Sequence, residues 1–354
     1  MNAIDGIPCV WMRGGTSKGA YFLADDLPSD AAERDDLLLR VMGTPDPRQI
    51  DGLGGATSLT SKVAVVSPSP RPDIDVDYLF LQLGVDEATV SDRQNCGNLL
   101  AGVGQFAVES GLVSADGDEG RVRIRMVNSD SVATARFPLL NGRPRYDGDT
   151  ATDGVPGTAA PVTLTFEDLA SSEAGLFPTS RVTDVVDGVE VTCVDNGMPV
   201  VVARARDLRL DGHEPHAGLA ADDALLKRVD RLRRTAAPLM GLDDDPSSTV
   251  PKTVLVSSPI DGGDLCARAF IPVNPHPAIG VFAAISAATA VLTPGAAGHG
   301  LIERESSRVD IEHPSGHLLV DIDLDTAVSP PRCRSASVVR TARKLFAGNV
   351  FPRV

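Results

Sequence analysis

Two segments constrain this chain more than anything else in it. Residues 97–110 and 278–292 are almost wholly small and apolar, and they read as helices without a polar side. A helix that is apolar all round offers no face to water and is normally buried. Each must therefore be wrapped by other structure. The rest of the sequence supplies short β-type runs for this purpose: residues 7–12, 62–66, 76–85, 121–127, 189–194, 200–204, 253–257, 265–271 and 318–322. Gly, Pro, Asp and Asn clusters punctuate them. Both apolar helices follow a β-run and a tight turn, Gln94-Asn95-Cys96-Gly97-Asn98 in the first half and Pro272-Val273-Asn274-Pro275-His276-Pro277 in the second. The pattern is an approximate internal repeat.

The expected fold is thus α+β, with β-structure wrapped around one buried helix in each half. At 354 residues the chain is also too long for one ordinary core. Turn-rich residues 171–187 suggest the boundary, giving lobes of 1–182 and 183–339, with 340–354 returning to the first. Residues 31–42 and 222–239 are amphipathic and charged and read as surface helices.

Charge excludes some partners. A formal net charge of −15 argues against nucleic acid and against an anionic membrane. No stretch reaches the ~18 uncharged apolar residues of a membrane helix, and the first ten residues do not resemble a signal peptide. Five scattered cysteines without a CxxC pair suit a reducing compartment, so the expected location is the cytoplasm. If the ligand is an anion, a chain this acidic must build its own positive potential from backbone amides, helix N-termini and a few placed cations.

Three places could carry chemistry. Cys96 stands at the start of the first apolar helix, where the positive helix end favours a thiolate; the alternative is an inert buried cysteine. Lys62 opens an apolar β-run, and partial burial favours the neutral amine that a general base needs. The alternative there is a solvent-facing lysine at a strand edge. The preceding Asp51-Gly52-Leu53-Gly54-Gly55-Ala56-Thr57-Ser58 has the glycines and hydroxyls of a loop pressed against an anion. The third place, Arg13-Gly14-Gly15-Thr16-Ser17-Lys18-Gly19, is either a carboxylate-binding loop or an ordinary hairpin turn, and it lacks the order of a phosphate-binding loop. Gly102-Val103-Gly104-Gln105-Phe106-Ala107 matches a dinucleotide fingerprint in form, but it lies within a helix, where close packing explains its glycines. The six histidines are spread too thinly for a metal site.

Several of these motifs together resemble the PrpF family. They are Met12 to Gly19, Gln49-Ile50-Asp51-Gly52-Leu53-Gly54-Gly55, Ser58-Leu59-Thr60-Ser61-Lys62 and Gln94 to Asn98. The likeness continues in Asp195-Asn196-Gly197-Met198-Pro199, Phe270-Ile271-Pro272, Ala278-Ile279-Gly280-Val281, Glu312-His313-Pro314-Ser315-Gly316 and Arg340-Thr341-Ala342. It covers nearly the whole chain in order, and within the family it looks most like the 4-oxalomesaconate tautomerases of gallate and protocatechuate breakdown. The 2-methylaconitate isomerases are the close alternative.

The resemblance implies a diaminopimelate epimerase-like fold of two pseudo-symmetric lobes with the site in the cleft between them. It implies Lys62 and Cys96 as the proton carriers of a double-bond shift in a small polycarboxylate, with no cofactor or metal and with a homodimer as the expected assembly. Substrate contacts are expected from Arg13, Ser17, Lys18, Ser61, Asn95, Gly97, Asn98, Met198, His276, Ile279 and Gly280. The epimerases of this fold use one cysteine from each lobe, and the second turn here, Asn274-Pro275-His276-Pro277-Ala278, has none. That speaks against racemisation, which must reach both faces of one carbon, and for a 1,3-shift.

Overall fold

The computed structural model describes residues 6–167, 169, 175–246, 248–302 and 306–353. It divides into two compact units, Met1–Leu164 with Val339–Val354, and Thr165–Val338. Neither crossing falls in a turn. One lies within the strand Pro161–Glu167 and the other within the long strand Arg332–Val350. The first boundary expected from composition, after residue 182, is therefore displaced to 164. Turn residues mark where a chain reverses, whereas here it changes units while staying extended. Residues 171–174 of the expected boundary lie outside the described residues.

In the first unit, β1 (Ile7–Gly14) and β2 (Ser17–Leu23) form a hairpin closed at Gly14 and Ser17. The following helix α1 (Ala31–Met42) takes its N-cap from Asp30, whose carboxylate accepts from the amides of Ala32 and Glu33. Next, β2 runs parallel to β3 (Lys62–Pro68), and β3 runs antiparallel to β4 (Val76–Leu83). A short β5 (Val90–Ser91) pairs back on β4 before α2 (Gly97–Glu109). Finally, β4 runs parallel to β6 (Glu119–Met126), which is antiparallel to β7 (Ser131–Leu140).

Every residue of α2 from Gly97 to Ala107 is buried. Two of its glycines are explained by packing, as the sequence suggested. A Cβ on Gly102 would lie 2.6 Å from the Tyr21 hydroxyl, and one on Gly104 would lie 2.6 Å from the Phe137 ring.

The second unit is built around the helix Val281–Leu292, buried from Val281 to Val291. Strands Val189–Asp195 and Pro199–Arg204 form a hairpin, and the latter runs parallel to Lys252–Ser257. That strand is antiparallel to Leu265–Ile271, which runs parallel to Arg308–His313, itself antiparallel to Gly316–Asp325. The charged helix Asp223–Ala236 lays Leu225, Val229 and Leu232 on an apolar cluster with Val191, Val201 and Leu255. Among the described residues no helix is long and apolar enough to cross a membrane.

Candidate active site

Cross-strand register decides which side chains meet the start of α2. Lys62 stands beside Gly19 on one neighbour strand and beside Gln82 on the other. Tyr21, two residues beyond Gly19, hydrogen-bonds the Leu99 carbonyl of α2. Tyr78, four residues before Gln82, donates to the Cys96 carbonyl at 3.3 Å. Side chains two apart in a strand share a face, so Lys62, Gln82, Tyr78 and Tyr21 all project from the face that α2 covers.

Cys96 is the N-cap residue of α2, with an extended backbone (φ −129°, ψ 95°) and no side-chain cap. The first turn of the helix carries no acidic side chain, so the positive potential of its free amides is not offset there. Of the pair named from sequence, Cys96 is thus the N-cap of α2 and Lys62 lies on the strand face that α2 covers.

The Lys62 amine is buried and directed. Its Nζ donates to Gln82 Oε1 at 2.6 Å and lies 5.0 Å from the centre of the Phe80 ring. Gln82 is held in turn, because its Nε2 donates to the carbonyls of Ser58, Ser61 and Leu83 at 3.0 to 3.2 Å. With the amide nitrogen committed to carbonyls, the atom presented to Lys62 must be the oxygen. Sequence reasoning missed Gln82. The available signal was one polar residue in an otherwise apolar stretch, Leu79-Phe80-Leu81-Gln82-Leu83.

Burial pushes the phenols of Tyr21 and Tyr78 well above their ordinary range, and a charge on the nearby Cys96 would push them further. Both therefore stay as neutral donors. Burial also drives the Cys9 and Cys193 thiols up to about 12 and raises that of Cys266, which makes these three inert at neutral pH. All five cysteines are free.

The segment Arg13 to Gly19 is a hairpin pressed onto the helix start. A Cβ on Gly14 would sit 2.2 Å from the Asn98 carbonyl oxygen, and one on Gly15 2.3 Å from Asn98 Oδ1. Only glycine permits that approach. Asn98 Nδ2 donates to Thr16 Oγ1 at 3.0 Å and Ser17 Oγ at 3.4 Å, which gathers Ser17, Asn98 and Gly97 at the helix entrance. Asn95 Nδ2 donates to Ser129 Oγ at 2.8 Å.

Other expected contacts are occupied with holding the fold. Arg13 Nη1 donates to Gly15 O, Thr341 O and Thr341 Oγ1 at 2.9 to 3.0 Å. Burial, and next the charge of Arg343, lower its guanidinium from the usual arginine range. Ser61 Oγ donates to Gln49 Oε1 and to the Thr57 carbonyl, both at 2.9 Å, within the Gly-rich loop before β3. Lys18 is half-buried at the second residue of β2.

Met198, His276, Ile279 and Gly280 belong to the second unit. The Met198 carbonyl accepts from Ser286 Oγ at 2.8 Å. His276 Nδ1 accepts from the Ala278 amide at 2.9 Å, which fixes the turn leading to buried Ile279 and to Gly280, the N-cap of the second central helix. Ser315 donates to the Pro277 carbonyl on the same turn. Glu312, buried, accepts from the amides of Ile260, Asp261 and Gly263. Burial opposes its ionisation, yet these three amides together hold its carboxyl below the usual range. The Glu312 to Gly316 motif thus braces two loops. Among the described residues no group of three or more His, Cys, Asp or Glu side chains is arranged to hold a metal ion.

The family model described as "PrpF protein" matches residues 4–353. The chain is 52% identical over 352 residues to the (4E)-oxalomesaconate Delta-isomerase of a Novosphingobium species, covering 98% of each. It is also 52% identical to the 4-oxalomesaconate tautomerase of Pseudomonas putida, covering 97% of this chain and 95% of that one. The crystal structure of a methylitaconate-delta-isomerase superposes with a TM-score of 0.84 at 32% identity, covering 98% of this chain and 95% of the other. The fold is the diaminopimelate epimerase-like α+β architecture.

Proposed function

From the premise that this chain belongs to the PrpF family and is an isomerase, we propose that it catalyses a 1,3-proton shift in 4-oxalomesaconate. The observation that carries the reading is the 52% identity, over nearly full length, to two proteins named for that substrate. Two side chains of the right chemistry support it: Lys62, held by Gln82 on the face that α2 covers, and Cys96, the N-cap of α2.

The mechanism follows from the substrate. Several carboxylates, a ketone and a conjugated double bond make a proton beside them acidic, and its removal gives a delocalised dienolate. Returning a proton at a different carbon moves the double bond. Two positioned groups are needed, one to take the proton and one to give it. Lys62, held by Gln82, and Cys96, at the positive end of α2, fill these roles. The uncapped amides of the α2 first turn stabilise the developing negative charge. The reaction moves protons only, so the proposal includes no cofactor, and its setting is a cytoplasmic pathway of aromatic-compound breakdown.

The test is proton NMR of the purified protein with 4-oxalomesaconate in deuterated water. The expected result is a new double-bond isomer at a rate proportional to enzyme, with deuterium at the receiving carbon. Turnover of 2-methylaconitate, with none of 4-oxalomesaconate, would replace this substrate by the aconitate-like one.

A further inference from the structure

We infer that Arg340 binds a carboxylate group at the N-terminal end of α2, an assignment that rests on the polycarboxylate reading above. Its position follows from register. In the strand Arg332–Val350, Ala342 stands opposite Gly14, Arg343 opposite Arg13 and Lys344 opposite Met12. Two observations show which face looks at α2. A Cβ on Gly14 would collide with the Asn98 carbonyl, and Lys344 Nζ donates to Glu109 Oε1 at 2.7 Å at the far end of the helix. Side chains alternate along a strand, so Arg340 shares this face with Ala342 and Lys344, while Arg13 and Arg343 lie on the other. The same markers give the direction. Lys344 meets the helix C-terminus, Gly14 beside Ala342 meets Asn98, and Arg340 is one step further, towards the helix start.

Arg340 is 3% exposed. Among the described residues its side chain makes no ion pair and no hydrogen bond, and its Nε is buried without a partner. Burial alone lowers its guanidinium to about 10, so it remains charged at neutral pH. A buried cation with no counter-charge opposes folding. In a chain of net charge −15, no acid has been placed beside it. The neighbouring α2 amides lack a side-chain cap and lack an acid in the first turn. A planar carboxylate is the group that a guanidinium binds best, through two parallel hydrogen bonds. Arg13, the arginine picked out by sequence, has Nη1 committed to Gly15 and Thr341 on the other face.

The experiment compares wild type with Arg340→Met and Arg340→Lys, using steady-state kinetics and thermal melting with and without tricarballylate, an unreactive tricarboxylate. Lys62→Met is run beside them. We expect Arg340→Met to raise KM by about 10- to 100-fold and to abolish the rise in Tm that tricarballylate gives the wild type. We expect Arg340→Lys to recover part of both. Without ligand, Arg340→Met should melt at the wild-type temperature or above it, because it removes an uncompensated charge. A purely structural arginine would give the opposite. An Arg340→Met protein that fails to fold, melts lower, or keeps wild-type KM and ligand response overturns the assignment. The two readings separate cleanly. If Lys62→Met is inactive while Arg340→Met behaves as wild type, only the Arg340 site falls. If tricarballylate binds through Arg340 but 4-oxalomesaconate is not turned over, the substrate falls and the anion site stands.

Discussion

The two units use the same strand grammar with different chemistry. Each contains a hairpin followed by a parallel, an antiparallel, a parallel and an antiparallel pairing, and inserts a two-residue strand before its buried helix. The strand after the first parallel pairing opens with a lysine in both, Lys62 and Lys252. There the likeness ends. Lys62 faces Gln82, whereas one step beyond the Thr253–Phe270 register Lys252 stands opposite Ile271. The first helix is capped by Cys96 and the second by Gly280, above which a side chain would meet nothing within 4 Å. The difference teaches that the scaffold was repeated and the titratable machinery was not. The first unit has a thiol at its helix start and a lysine amine held by Gln82, while the second has a glycine at its helix start, preceded by the His276 turn.

The largest expected effect breaks that asymmetry at its source. Cys96→Ala and Lys62→Met should each lower kcat by about a thousandfold or more, as read by substrate-loss kinetics. If Cys96→Ser leaves turnover intact, the catalytic assignment fails.

Next comes packing. In Gly19→Ala the new methyl would sit 2.3 Å from the Lys62 carbonyl oxygen, a backbone atom that cannot yield without moving β3. We expect about 2–4 kcal/mol of destabilisation in urea titration. Gly280→Ala has open space and an ordinary backbone (φ −72°), so its cost should be within about 0.5 kcal/mol. Equal costs would remove the packing contrast between the two units.

Gln82→Met tests positioning. It keeps the length of the side chain and removes the oxygen that holds Lys62. We expect kcat to fall about 10- to 100-fold with KM nearly unchanged. A change confined to Tm would make Gln82 merely structural.

The smallest effect lies in the second unit. Glu312→Gln should cost about 1–2 kcal/mol near neutral pH, since a carboxylate accepting three amides becomes a group with a misplaced donor. The folded-state carboxyl of Glu312 titrates below its ordinary range. Its contribution is therefore complete above that range and lost as pH falls through the lowered value. Melting curves of variant and wild type should converge in acid. Convergence at alkaline pH instead would contradict the assignment.

Much of this was legible in the sequence. Two all-apolar helices demanded enclosure, Gly and Pro marked the turns, Cys96 stands at the start of α2 and Lys62 opens a buried strand. The segment Arg13 to Gly19 read equally as a loop for anions or as a hairpin, and the structure shows a hairpin packed on a helix, with Asn98 against Gly14 and Gly15. What stayed hidden depends on pairing across distance. Gln82 acquires a role only because register puts it opposite Lys62. The face of Arg340 depends on a strand that pairs with residues more than three hundred positions earlier. The unit boundary was hidden for another reason, since an extended strand that changes units carries no turn signal.

That last strand has a consequence for how the protein is made. Residues 342–350 pair with β1, which is synthesised more than three hundred residues earlier. Until they leave the ribosome, β1 keeps one edge unpaired and the first unit lacks its final wall. An open, apolar strand edge invites association with other nascent chains. Synthesis in chain order therefore cannot complete the first unit before the second. The unit that holds Lys62 and Cys96 receives its closing strand after the strands of the other have been made.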